Sequence, residues 1–146
     1  EAAATVTNTA TITGGGITPV TIEETVTAVS APLLTINKAV SPVPVTENGT
    51  LTYTFLIQNT GNTVADAATA AEIIDTFDPI LSNIAVSYNG TALVAGTDYT
   101  YNEATGLFAT TAGRITVPAA AYTQDPATGS WIVTPGTGTL TVTGTI

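Results

Sequence analysis

Apolar and polar residues alternate one for one along most of this chain, which is the period of a β-strand with one face turned inward. Residues 4–13, ATVTNTATIT, put Ala4, Val6, Asn8, Ala10 and Ile12 on one face and threonines on the other. Gly14-Gly15-Gly16 breaks that strand and reads as a hinge. Ile17 to Val29 alternates less cleanly around Pro19 and the Glu23-Glu24 pair, and Pro32 closes it. Further strands are predicted at Leu33 to Val40 and at Leu51 to Asn59, separated by Pro42, Pro44 and a turn at Asn48-Gly49. Leu51, Tyr53, Phe55 and Ile57 make the second of these the strongest in the chain.

Val64 to Ile74 contains ADAATAAE, a run of helix formers. It reads as a loop running into a strand that ends near Phe77, with a single helical turn as the alternative. Ile80 to Tyr88 and Thr91 to Val94 flank Asn89-Gly90, the pair favoured in type I′ hairpin turns. Asp98 to Tyr101 and Leu107 to Thr110 predict another hairpin, and Arg114 to Val117, Ser130 to Thr134 and Thr139 to Ile146 complete the strands. Turn signals every 8–12 residues without a long amphipathic helix predict an all-β Ig-like Greek-key sandwich. The expected division is a strand at 1–13, a linker or extended segment at 14–32 and a sandwich at 33–146. The N-terminal strand is amphipathic and must find a partner, because a lone strand is unstable in water. The last strand, GTLTVTGTI, runs to the final residue without a hairpin back, so a sandwich built this way is expected to lack one strand.

Composition narrows the function classes. The 146 residues carry 2 basic and 11 acidic side chains, a net charge of −9, with no Cys, His or Met. Two cations cannot follow a phosphate backbone, so nucleic acid and anionic membrane surfaces are not expected partners. Without Cys or His there is no disulfide, no ordinary zinc or copper site and no His-based triad. No stretch reaches the apolar length of a membrane-spanning helix. The chain starts at Glu1 without a basic-flanked apolar leader, which reads as a mature or excised segment. Its Thr-, Gly- and Ala-rich composition, almost free of Lys, points to an extracellular or cell-surface location.

Residues 34–65, LTINKAVSPVPVTENGTLTYTFLIQNTGNTVA, resemble the opening of the DUF11 repeat, an Ig-like module of bacterial and archaeal surface proteins. The matching marks are Lys38, Pro42, Gly49, Thr52-Tyr53-Thr54, Asn59-Thr60-Gly61 and Asp75-Thr76. The likeness is specific over about residues 33–79 and loose beyond, apart from the PGTGTLTV strand. Such repeats close with a strand similar to "ITNTATVT"; here that motif is TVTNTATIT at residues 5–13, at the opposite end. The resemblance therefore implies one of two things. The strand completes a neighbouring copy by strand donation, or residues 1–13 finish the preceding member of a tandem array. In the first case Val6, Asn8, Ala10 and Ile12 form the donor interface.

Alternation places Lys38 on the face of Leu34, Ile36 and Val40, and Asp75 on the face of Ile73 and Phe77. A buried ammonium must be paired or neutralised. A first-strand Lys, a last-strand Asn and a nearby carboxyl resemble the self-forming isopeptide bonds of bacterial surface Ig-like domains. That resemblance implies Lys38 as nucleophile, Asn8 as amide and Asp75 as helper acid. The plainer alternatives are a Lys38–Asp75 salt bridge, or a lysine that snorkels out at a strand end. Glu72, Asp75 and Asp78 lack the spacing of a calcium loop and come with no cleft signal for glycoside hydrolysis; no metal, cofactor or enzymatic activity is expected. Asn48 and Asn89 begin glycosylation sequons that are also Asn-Gly turns. Trp131 and the five tyrosines read as sandwich residues, with a sugar platform as the lesser alternative. The expected function is a structural subunit of an extracellular, pilus-like filament, polymerising with copies of itself by strand donation. The alternative is a stalk or adhesin repeat of a surface protein, and surface glycans are the remaining partner class.

Overall fold

The computed structural model describes residues 4–146, which divide into two compact units at Ala31/Pro32. The first contains β1 (Ala4–Gly14) and β2 (Ile17–Ala28), paired antiparallel in a two-stranded sheet of their own. Within the segment 14–32, expected as a linker or extended segment, Ile17–Ala28 is a paired strand. The glycine triplet is a reversal, not a hinge: Gly14, Gly15 and Gly16 take φ of 118°, 60° and 77°, values that glycine adopts without penalty. Opposite residues are Val6 and Val26, Asn8 and Glu24, Ala10 and Ile22, and Ile12 and Val20. Because facing residues share a side, these form one mainly apolar face. The other face is a threonine ladder in which Thr7 meets Thr25 at 3.1 Å and Thr11 meets Thr21 at 2.9 Å through their hydroxyls.

The second unit is an all-β sandwich, as the two-residue period implies. One sheet has the order β3 (Leu34–Ser41), β4 (Thr50–Asn59), β12 (Gly136–Thr145), β6 (Ser82–Tyr88) and β7 (Thr91–Ala92). Facing it are β5 (Ile74–Thr76), β9 (Leu107–Thr110) and β8 (Tyr99–Asn102), with a separate hairpin of β10 (Ala121–Gln124) and β11 (Trp131–Thr134). Leu51, Tyr53, Phe55 and Ile57 of β4 and Leu140 and Val142 of β12 project into the core, where they meet Phe77, Tyr99, Phe108, Ile115 and Val117. Tyr53 stacks on Phe77 with centroids 4.7 Å apart, tying the two layers. At Gly138 a Cβ would come within 1.9 Å of the Tyr88 hydroxyl, so the residue lets that ring cross the sheet.

The ambiguous stretch after Val64 resolves into a short 3₁₀ turn, Ala67–Thr69, before β5. Asp66 caps it, accepting the Ala68 N–H at 2.9 Å. The predicted strand at Arg114 to Val117 is reduced to a bridge between Val117 and Ala65, and β10 had no alternation to reveal it. Asn89 and Gly90 both take positive φ, as a type I′ turn requires. The final strand, β12, lies between β4 and β6 and is therefore central. The open positions of the sandwich are at the outer edges of its sheets, which include β3 and β5.

Candidate functional site

The edge strands β3 and β5 border a cleft into the core. Each pairs on one side only, β3 with β4 and β5 with β9. Two adjoining hollows of about 220 Å³ and 310 Å³ lie along the cleft. Leu34, Ile36, Ile57, Ile73 and Ile115 supply most of its apolar wall. On β3 the alternation Leu34, Ile36, Lys38, Val40 turns toward the core, yet Ile36 remains 52% exposed because no strand of the opposite sheet covers it. An apolar edge left this open is a template for another strand.

Lys38 stands in the mouth of the cleft and forms an ion pair with Asp75 Oδ2, joining the two edges. Its Nζ lies 4.6 Å from the centroid of Tyr53, with Phe55 and Phe77 next nearest at 5.8 and 5.7 Å. The π-faces of these rings favour a cation in that position. Asp75 Oδ1 accepts the Thr76 N–H at 2.9 Å, while the buried Oδ2 takes no hydrogen bond among the described residues beyond its meeting with the ammonium. The Lys38 side chain keeps 41% of its exposure and that of Asp75 keeps 20%. Lysine is therefore not fully buried, contrary to what its apolar face implied, since the same uncovered edge that exposes Ile36 admits water to Lys38. Burial pushes the Tyr53 phenol above its ordinary range, opposed in part by the Lys38 charge.

The structure thus brings Lys38 and Asp75 together, whereas Asn8 belongs to the N-terminal unit. Val6 and Ile12, on the same strand face as Asn8, are each 63% exposed, and across the hairpin Val20, Ile22 and Val26 are 55%, 65% and 66% exposed. This second apolar stripe, on β2, was hidden in the sequence by Pro19 and the two glutamates. Glu24 was missed for the same reason: it sits opposite Asn8 in the middle of the apolar face.

Among the described residues, no group of three or more acidic side chains gathers as a metal site would need. Asp75 of the calcium candidates is engaged with Lys38 instead. Asn48 and Asn89 are exposed on turns, and Asn89 Oδ1 accepts the Thr139 N–H at 2.8 Å. The aromatic residues do not form one platform. Tyr53 and Tyr99 lie in the core, whereas Trp131 and Tyr122 are exposed on the β10–β11 hairpin, where the Tyr122 hydroxyl donates to the Thr60 carbonyl at 2.6 Å. A structural residue also emerges that alternation alone did not mark. Asn59 is fully buried; its Oδ1 accepts the N–H groups of Leu33 (3.0 Å) and Gly61 (2.9 Å), and its Nδ2 donates to the carbonyls of Thr63 (2.8 Å) and Pro118 (3.0 Å). It fixes the start of β3, and with it one border of the cleft.

Comparison of the chain with protein-family profiles, with curated proteins and with solved structures gives no match.

Proposed function

We infer that this protein is a structural subunit of an extracellular filament, assembled head to tail when the N-terminal unit of one copy completes the sandwich of the next. One observation carries the reading: the cleft between β3 and β5 has an apolar wall with Lys38, Glu72 and Asp75 along its mouth, is bordered by two unfilled strand edges, and is open. A strand entering there gains backbone hydrogen bonds from an edge and side-chain burial from the cleft, the attraction used in β-strand addition. The N-terminal unit offers a matching element with Val6, Ala10 and Ile12 on one exposed face. The resemblance of residues 34–65 to a surface-protein repeat, with its closing motif displaced to residues 5–13, supports the same reading. Fibre assembly needs no catalytic centre.

Negative-stain microscopy of the full chain over a range of concentrations tests the proposal directly. Fibres are expected, and they should vanish when residues 1–31 are removed. The shortened sandwich should then bind a peptide of residues 1–31 added separately. Discrete monomers at every concentration, or a shortened protein that is fully stable and ignores that peptide, would refute donation by the N-terminal unit.

A further inference from the structure

We propose that the donated element is the whole β1–β2 hairpin, seated with its apolar face on the cleft of a second copy, and that its Glu24 carboxylate meets Lys38 there. This rests on the filament reading and specifies its interface. Separating β1 from β2 would break their antiparallel ladder and the hydroxyl contacts of the threonine face. It would also leave the β2 stripe of Val20, Ile22 and Val26 without cover. Donating the hairpin intact keeps the ladder and buries both stripes. Val6, Ile12, Val20, Ile22 and Val26 are each more than half exposed, so the intact hairpin offers both stripes to a partner at once.

The pattern of charge along the two surfaces also matches. Along one face β3 reads Leu34, Ile36, Lys38, Val40, apolar, apolar, cationic, apolar, and the first three of these line the cleft. The β2 stripe reads Val20, Ile22, Glu24, Val26, with the same two-residue spacing and an anion in the third place. In β1 the corresponding level is Asn8, directly opposite Glu24. When the apolar levels are matched, Glu24 and Asn8 fall at the level of Lys38. Covering a carboxylate amid an apolar face is costly unless it is paired with a counter-charge or neutralised. Of the two cations in the chain, Arg114 is engaged with Asp98 at 3.4 Å, and Lys38 stands half-exposed in the cleft mouth. Lys38 would then lie between Asp75 of its own sandwich and Glu24 of the incoming hairpin. Because an ammonium has three donors, it can serve both carboxylates.

The test uses full-length chains, mixed as isotopically light and heavy protein, assembled and treated with a carbodiimide that joins amines to carboxylates at contact distance. Mixed-label peptides linking Lys38 to Glu24 are expected, and they should disappear with Glu24→Gln. In parallel, Ile22→Asp should abolish fibres at concentrations about 100-fold above that sufficient for the unsubstituted chain, since a buried unpaired carboxylate is strongly unfavourable. Thr25→Asp, on the threonine face, should leave assembly within threefold, consistent with the small effects of exposed substitutions. If Ile12→Asp blocks assembly but Ile22→Asp does not, and Lys38 couples only to Asp75, strand donation stands and the hairpin proposal is overturned. If the unsubstituted chain never forms fibres, both fall. Should Ile22→Asp disturb the hairpin itself, the crosslink in the unsubstituted protein still decides.

Discussion

Truncating Ile12 to alanine isolates the apolar contribution of the donated face. Ile12 is 63% exposed in the free chain, so the substitution removes little from the stability of the subunit itself. On assembly the side chain is covered, and the three carbon atoms lost are worth about 0.8 kcal/mol each when buried. Incomplete covering at the end of the apolar stripe reduces the total to about 2 kcal/mol. Each added subunit makes this contact once, so the critical concentration for assembly should rise about 30-fold, at 1.4 kcal/mol per factor of ten. Thr11→Ala is the control, since it lies one position away on the opposite face and loses only the hydroxyl contact with Thr21. Its shift should correspond to less than about 0.5 kcal/mol. The protein remaining in the supernatant after pelleting gives the critical concentration, and circular dichroism of the soluble fraction confirms that both variants fold. Equal shifts for the two variants, or no shift for Ile12→Ala, would show that the face of Val6, Ala10 and Ile12 is not what assembly buries.

Asn59→Ala should lower the unfolding free energy by about 2–4 kcal/mol in urea denaturation, because the buried Gly61 N–H and the carbonyls held by the amide lose their partner. Tyr53 titrates above its ordinary value of 10.0 in the folded chain, so the unfolded state gives up this proton first as pH rises. Its contribution is fully present below pH 10.0, declines above it and is gone beyond the folded value; Tyr53→Phe should blunt this alkaline loss in thermal melts. In the free subunit the Lys38–Asp75 ion pair is reachable by water and lacks the dry setting that isopeptide formation requires, so unassembled subunits should have unmodified intact mass. In boiled filaments, loss of one ammonia per linked pair, abolished by Lys38→Ala and by Asp75→Ala, would show that Asn8 of the donor reacts once the site is closed, and unmodified mass there would rule the bond out.

Alternation alone determined the all-β class, the apolar face of β4 and the common face of Val6, Asn8, Ala10 and Ile12, because a period of two leaves each residue only two sides. It also placed Lys38 and Asp75 on core faces, and the sandwich brings them together. Three things needed the tertiary structure. Residues 17–28 could not be read as a partner strand, since Pro19 and Glu23-Glu24 spoil the period and pairing depends on which segments meet across the glycine turn. The position of β12 between β4 and β6 is a matter of long-range pairing, to which a local pattern is blind; that position makes the last strand central and leaves β3 and β7 at the edges of its sheet. The exposure of Lys38 was equally invisible, because alternation says which way a side chain points and not whether anything lies there to cover it. On β3 the inward direction leads into an open cleft, and that uncovered edge is what leaves the Lys38 side chain 41% exposed.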